Sequence, residues 1–309
     1  MLTAIDLFCG CGGLSLGFQN AGFNIVAAFD NWEKATNVYN LNFSNHKAIL
    51  EDAYKITDVE LMKYSPDIII GGPPCQDYSS AGKRDESNGR ADLTNRFSEL
   101  VCSIGVRWFV MENVDRILKS KTLPCIEKRF KEAGYGLTQV VLDASKCGVP
   151  QKRKRFFLIG ELGAEDGFMD KKLLDGQADR SMTIRDYLGD EFQIEYYYRH
   201  PRSYARRGIF SIDEPSPTVR GVNRPIPSTY QLHKGDATKD LTKVRALTTL
   251  ERARIQTFPE DFLFEGTKTD IEQMVGNAVP VNLAKYVASK LYEYIDEKTK
   301  TRQLTLDFK

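Results

Sequence analysis

The chain has 309 residues, 41% hydrophobic and 28% charged, an ordinary globular mixture long enough for one large domain and a smaller one. Its 43 Lys and Arg against 42 acids exclude any reading from global charge, although the charge is unevenly spread along the sequence. No apolar run approaches the roughly 18 residues of a membrane span, and Met1-Leu2-Thr3-Ala4-Ile5-Asp6 lacks the basic and apolar regions of a secretory signal.

Six cysteines, at 9, 11, 75, 102, 125 and 147, do not suggest a disulfide scaffold in a chain of this size, and reduced thiols in a cytosolic compartment fit better. Three histidines in all make a zinc site at Cys9-x-Cys11 unlikely on composition, so no metal is expected.

Residues 3–8 read as a first strand, Gly10-Cys11-Gly12-Gly13 as the turn after it, and 14–21 as a helix stopped by Gly22. A second strand over 24–29 ends at Asp30. A glycine-rich turn opening a helix, with an acid about 20 residues on, is a nucleoside-binding arrangement: the helix start offers amides and the acid accepts ribose hydroxyls. The third glycine of a dinucleotide fingerprint is out of place, which argues for a nucleoside cofactor bearing a carboxylate rather than a pyrophosphate.

The alternation continues with a helix over 32–41, a short strand over 48–50 ending near Asp52, and a helix over 58–64. Pro66-Asp67-Ile68-Ile69-Ile70 reads as a buried parallel strand leading into Gly71-Gly72-Pro73-Pro74-Cys75-Gln76. The glycines permit a sharp turn, and the prolines fix φ and remove donors, so Cys75 sits on a stiff loop where open α/β sheets bind ligands. By itself that loop reads better as a tight turn with a buried thiol than as a nucleophile.

Residues 79–88 read as an exposed, mobile loop, 93–104 as a helix, 108–111 as a strand ending at Glu112-Asn113, and 122–133 as a helix closed by Gly134. Strands over 138–142 and 156–159 complete a doubly wound, mostly parallel α/β domain over about residues 1–180. Residues 181–249 break the pattern. Arg199, Arg202, Arg206, Arg207, Arg220 and Arg224 crowd there with Tyr196, Tyr197, Tyr198 and Tyr204, which is either a solvated face or a surface for phosphates and bases. Residues 249–258 look helical again, and an amphipathic helix over 283–295 is expected to return to the first domain. The division is therefore 1–180 with 250–309, and 181–249 as a smaller irregular domain.

Six blocks, in order, resemble the C5-cytosine DNA methyltransferase family over about residues 3–295. They are Asp6-Leu7-Phe8-x-Gly10-x-Gly12-Gly13 with Gly17-Phe18; Gly72-Pro73-Pro74-Cys75-Gln76-x-Tyr78-Ser79; Glu112-Asn113-Val114; Gln151-x-Arg153-x-Arg155; Glu251-x-x-Arg254-x-Gln256-x-Phe258-Pro259; and Gln273-Met274-Val275-Gly276-Asn277-Ala278-Val279. The resemblance implies a Rossmann-like, class I S-adenosylmethionine-dependent fold and a bacterial or phage enzyme of the restriction–modification type. Cys75 would attack cytosine C6, with Glu112 on ring N3, Arg155 on the carbonyl oxygen, and Arg153 for phosphate or loop positioning. A thiolate suits this chemistry because it is nucleophilic near neutral pH and can leave again.

The resemblance also implies contacts to S-adenosylmethionine, with S-adenosylhomocysteine as product, from Phe8, Gly10, Gly12, Gly13, Asp30, Asp52, Pro74, Leu93, Asn277 and Ala278. Two departures stand out: the family's ribose acid is more often Glu than Asp30, and its tryptophan lies two positions on, at Trp32. A duplex cytosine must be flipped out to be reached, the 79–88 loop would close over it, and 181–249 would read the target. Gln76, Ser79, Thr218, Arg220 and Arg224 are the candidate DNA contacts. A tRNA cytosine methyltransferase of the same family is the alternative, although that branch's Cys-Phe-Thr motif is not evident. A silent DNA-binding protein is disfavoured by intact Cys75, Glu112 and Arg155, and a nicotinamide oxidoreductase by the glycine spacing. A cytoplasmic monomer acting on double-stranded DNA is expected, with a cognate restriction endonuclease as functional partner. Gln303-Leu304-Thr305-Leu306-Asp307-Phe308 resembles the peptide by which bacterial proteins dock on the sliding clamp, a disordered terminus being the plainer reading.

Overall fold

A computed structural model of the chain describes residues 1–74, 91–189, 192–201, 203 and 205–307. The Cys75, Gln76 and Ser79 assignments, the 79–88 loop, Arg202, Tyr204 and Phe308 lie outside them.

In chain order come β1 (Thr3–Leu7), α1 (Gly13–Asn20), β2 (Asn24–Asp30), α2 (Glu33–Asn42), β3 (Ala48–Leu50), α3 (Asp58–Met62) and β4 (Ile68–Gly71). Then follow α4 (Ala91–Ile104), β5 (Trp108–Val114), α5 (Thr122–Glu132), β6 (Tyr135–Asp143), β7 (Gln151–Lys152), β8 (Lys154–Leu162) and α6 (Asp170–Asp175). One seven-stranded sheet has the order β3-β2-β1-β4-β5-β8-β6. Strands β1 to β5 pair in parallel, while β8 runs antiparallel to both neighbours. The sheet is thus mostly parallel and doubly wound, and its strand order reverses direction between β1 and β4, where such sheets open a binding crevice.

The period-2 alternation of the strands explains the two cores. Ala4, Ile68, Ile70 and Val110 face one side, against α1 and the last helix; Ile5, Leu7, Ile69 and Phe109 face the other, against α3, α4 and α5. Register fixes the working edge. Leu7 pairs with Gly71 and Gly71 with Met111, so Phe8 and Gly72, just past the ends of β1 and β4, stand at the level of Glu112 in β5. Gly71 is required there because a Cβ would stand 2.4 Å from the Leu7 carbonyl oxygen.

The 181–249 segment is more regular than its composition suggests. After α7 (Ile184–Leu188), opened by a Thr183–Asp186 capping box, come β9 (Tyr196–Tyr198), β10 (Ile209–Ser211), β11 (Ser216–Pro217) and β12 (Val244–Ala246). Strand β9 is the centre of a small sheet, antiparallel to β10 and parallel to β12, and β11 pairs with β7. Tyr197 and Tyr198 are buried at 0% and 1% exposure, so the base-stacking reading fails for both; they are core residues. Arg207 is likewise committed, stacked 4.2 Å over the Phe210 ring and ion-paired with Glu214.

Helices α8 (Thr249–Ile255), α9 (Lys268–Asn277) and α10 (Val281–Asp307) complete the chain. The expected 249–258 helix ends earlier, and Thr257 takes a left-handed φ of 61° just beyond it. Leu283, Ala284, Val287, Ala288, Leu291 and Ile295 of α10 are buried in the α1-side core, which places the predicted amphipathic face where it was expected. Gly17 of α1 makes the approach possible, since a Cβ there would lie 2.3 Å from the Ala284 Cβ and 2.7 Å from the Val281 carbonyl oxygen. Gly17→Leu is expected to destabilise the protein by about 2–3 kcal/mol through overpacking, a fall of roughly 5 °C in the melting temperature. An unchanged melt would mean that this helix contact is not part of what holds the fold.

Candidate active site

The first strand ends in an unusual turn. Phe8 has a left-handed φ of 66°, a conformation that a bulky residue adopts only where its surroundings enforce it, and Gly10 and Gly12 follow at 53° and 101°. The Gly10 amide donates to Asp30 Oδ2 and the Trp32 amide to Oδ1, both at 2.8 Å, so the acid at the end of β2 holds the turn in place. Burial pushes the Asp30 carboxyl up, and the amides of Trp32, Gly10 and Asn31 draw it back in part.

The three glycines differ in role. A Cβ on Gly10 would meet nothing within 4 Å, whereas one on Gly12 would stand 2.5 Å from the Phe43 ring and one on Gly13 2.3 Å from the Val279 carbonyl oxygen. Gly12 and Gly13 are therefore needed for packing on the chain itself, and Gly10 is the one beside open space.

A cavity beside this turn is lined by Leu7, Phe8, Phe29, Asp30, Asn31, Glu51, Ala53, Ile56, Pro74 and Leu93. The structure thus brings the sequence candidates Phe8, Asp30, Pro74 and Leu93 together. Asp52 does not join them: its Oδ1 accepts from the Tyr54 amide at 3.0 Å, and Glu51 and Ala53 on either side face the cavity instead. Residues two apart past a strand share a face, so the parity of β3 was the signal that could have singled out Glu51. Trp32 packs against the core around Tyr39 and is absent from the lining. Asn277 is exposed and accepts from Gln273 at 3.2 Å, and Ala278 stands behind Gly13. The lining combines apolar walls with the carboxylates of Asp30 and Glu51, the chemical mix that an adenosine ring with hydroxyl and amino donors calls for.

Next to the cavity, Glu112 at the end of β5 is 8% exposed and pairs with Arg155 Nε of β8 at 2.7 Å. The antiparallel pairing of β8 on β5 makes this contact, because it sets Val114 opposite Arg155 and brings the arginine back over the acid. Burial pushes the Glu112 carboxyl up, with Arg155 first and Arg153 second opposing it. A Cβ on Gly72 would lie 3.2 Å from Glu112 Oε2, and Asn113 Nδ2 donates to the Pro73 carbonyl at 3.3 Å. The chain leading to Cys75 is therefore stitched to the strand that carries the acid. Cys9, Cys11 and Cys147 are buried, and desolvation pushes their thiols up, Cys11 and Cys147 to about 12, so none is poised as a thiolate.

Arg153 sits elsewhere. It is 1% exposed and donates Nη1 to the Val219 carbonyl at 2.8 Å and Nη2 to the carbonyls of Gly276 and Ala278 at 2.9 and 3.1 Å. That geometry contradicts a phosphate contact or a catalytic contact with the base, because the guanidinium is sealed inside the protein. Gln151 accepts from the Val219 amide at 2.8 Å and donates to Gln256 at 2.7 Å, and Gln256 donates to Val275 and Ala278.

On the arginine-rich side, Thr218 Oγ1 donates to the Lys152 carbonyl at 2.9 Å while its own carbonyl accepts from Arg199. Arg220 donates Nη2 to the His200 carbonyl at 2.5 Å, so part of its guanidinium is already engaged. Arg224 is exposed, and burial, then Arg224 and Arg220, hold the nearby His200 imidazole below its usual value.

A family model for C-5 cytosine-specific DNA methylases matches residues 2–293. The chain belongs to this family. This methylase is 59% identical over 298 residues to the type II methyltransferase M.HindV of Haemophilus influenzae, covering 96% of this chain and 98% of that one. It is 53% identical over 306 residues to the type II methyltransferase M.HgiDI of Herpetosiphon aurantiacus, covering 99% and 98%. The crystal structure of the Schizosaccharomyces pombe Dnmt2 methyltransferase shares the fold, with a TM-score of 0.71 at 18% identity over 95% of this methylase and 99% of that chain. No helix among the described residues is long and apolar enough to cross a membrane.

Proposed function

We propose that the protein transfers the methyl group of S-adenosylmethionine to C5 of a cytosine in a specific double-stranded DNA sequence, through a covalent bond from Cys75 to C6. The observation that carries this reading is the Glu112–Arg155 pair at 2.7 Å, at the same sheet edge as the Gly-Gly-Pro-Pro run that leads to Cys75. Cytosine C5 is a weak nucleophile until an electron pair is added at C6. The Cys75 thiolate forms the S–C6 bond, and Glu112, whose burial favours its protonated form, donates to N3 so that the ring accepts the pair. Arg155 holds the Glu112 carboxyl in place through Nε, with Nη1 donating to the Lys154 carbonyl, and is assigned to the cytosine carbonyl oxygen. Bound S-adenosylmethionine supplies the electrophilic methyl group. Loss of the C5 proton to a base expels the Cys75 sulfur from C6 and re-forms the C5–C6 double bond, and the N3 proton returns to Glu112.

Phe8, Asp30, Glu51, Pro74 and Leu93 are assigned to the cofactor, and Arg153, with Gln151 and Gln256, to positioning of the 219 and 276–278 backbone. Residues 181–249, including Thr218, Arg220 and Arg224, are assigned to target reading. The type II names of the most similar relatives support a functional pairing with a restriction endonuclease.

Transfer of labelled methyl from S-adenosylmethionine to duplex DNA and to tRNA, with Cys75→Ala alongside, tests the reading. Incorporation into DNA that is lost in Cys75→Ala is expected. Incorporation into DNA that persists in the variant sinks the covalent mechanism, and incorporation into tRNA alone changes the substrate.

A further inference from the structure

The backbone of residues 220–223 lies directly on the last two helices before α10. A Cβ on Gly276 would stand 2.1 Å from the Gly221 nitrogen, and one on Gly221 2.3 Å from Gln273 Oε1. Beneath this contact, Arg252 of α8 and Glu272 of α9, 5% and 3% exposed, form a buried ion pair. Desolvating two charges costs nearly as much as their attraction returns, so such a pair is weak evidence of stabilisation, and its value has to be sought in what it orients.

What it orients is the 220–223 stretch of the arginine-rich segment, gripped at both ends. Arg252 donates to the Arg220 carbonyl. Glu272 Oε1 accepts from Asn223 Nδ2 at 3.0 Å and from Thr249 Oγ1 at 2.8 Å, and Asn223 Nδ2 also reaches the Leu247 carbonyl at 2.7 Å. Between and just beyond these two grips, Val222, 54% exposed, and Arg224 stand out into solvent. We propose that the Arg252–Glu272 pair and Asn223 form a positioning device that fixes how the 220–224 tip meets the bases, and so sets the discrimination between DNA sequences. None of the three touches substrate; they act through the tip. The proposal rests on the DNA methyltransferase reading.

The test begins by mapping the target of the wild-type protein by bisulfite sequencing of DNA from expressing cells. The steady-state constants kcat and KM are then measured on a duplex carrying that target and on duplexes with one base pair changed, with S-adenosylhomocysteine affinity by calorimetry and a thermal melt alongside. Asn223→Ala removes one grip and leaves the ion pair intact. It is expected to raise KM for the target duplex about tenfold and to reduce the kcat/KM preference over changed duplexes by about tenfold, comparable to losing one base-pair discrimination. The fall in kcat should stay under about threefold and the change in S-adenosylhomocysteine affinity under about twofold. Since Asn223 and Glu272 share one network, adding Asn223→Ala to Glu272→Gln should cost little further discrimination. Unchanged sequence preference in a folded Asn223→Ala protein overturns the proposal, as does a loss of cofactor affinity equal to the change in KM for DNA. A wild-type protein that methylates no duplex cytosine removes the underlying reading, and this proposal with it; the two failures are told apart by the wild-type lane alone.

Discussion

Glu112→Gln is expected to lower kcat/KM for duplex DNA by about 10²- to 10⁴-fold, the range for losing a positioned proton donor. The two side chains have nearly the same shape, so the β5 edge and its contact with Gly72 should survive. What changes is the capacity to pass a proton to N3. The carboxyl lies on a strand end at 8% exposure, where burial favours its neutral form against the pull of Arg155 and Arg153. The amide cannot give up a proton. Cofactor affinity should change by less than about threefold, because Glu112 is not part of the cavity lining. Activity within about threefold of wild type would remove Glu112 from the proton-transfer step.

The second large effect is on stability and concerns Asp6, which is fully buried in β1 next to Leu7 of the cavity lining. Ser15 Oγ donates to its Oδ2 at 2.5 Å; Tyr39 OH donates to Ser15 Oγ at 2.9 Å and lies 2.7 Å from His46 Nε2. Desolvation pushes the Asp6 carboxyl up to about 8, its hydrogen bond from Ser15 opposing and Asp30 adding to the shift. In the unfolded chain the same group ionises near its ordinary value of 3.8. The folded state therefore binds the extra proton between about pH 4 and pH 8, and stability from this group is complete below pH 4 and declines as pH rises through that window. The decline amounts to about 1 kcal/mol per pH unit, a little under the limiting slope for one proton.

Asp6→Asn keeps the acceptor for Ser15 and cannot ionise. Its melting temperature should exceed that of the wild type by roughly 5 °C at pH 8, with the two proteins much closer at pH 5. Parallel melting curves across pH 5–8 would show that Asp6 is ionised in the folded protein at no cost.

Much of the architecture follows from local signals. Strands β1, β2, β4 and β5 end at a glycine turn, at Asp30, at Gly71 and beside Glu112-Asn113-Val114, close to where the residue types change. The reversal of β8 was not legible, because a strand's own alternation does not say which way its neighbours run. Yet that reversal is what lays Arg155 across Glu112. Tyr197 and Tyr198 misled because arginine and tyrosine interleave in nucleic-acid surfaces and in small sheet cores alike; burial on both faces of β9 settles them as core.

After β3 the cavity lining includes Glu51 and Ala53 and not Asp52; the resemblance pointed to Asp52, whereas the parity of that short strand pointed to Glu51. Arg153 looked like a site residue because it stands in the Gln-x-Arg-x-Arg block with Arg155; it falls in the break between β7 and β8, where carbonyls of the 219 and 276–278 backbone take up its guanidinium, and no sequence pattern marks those partners. Arg252 and Glu272 carried no sequence signal: they come from separate helices, and only tertiary packing makes them partners.

The close approach of Gly13 to Val279 and of Gly17 to Ala284 has a consequence for synthesis of the protein. The turn that flanks the cavity is synthesised more than 260 residues before the surface that it packs against. These contacts span nearly the whole sequence, so they close late and slowly. A nascent chain halted before residue 279 would carry every side chain of the cavity lining and still lack the backing for its glycine turn. The pocket's shape is thus tied to the completion of a helix far along the sequence rather than to its own lining residues alone.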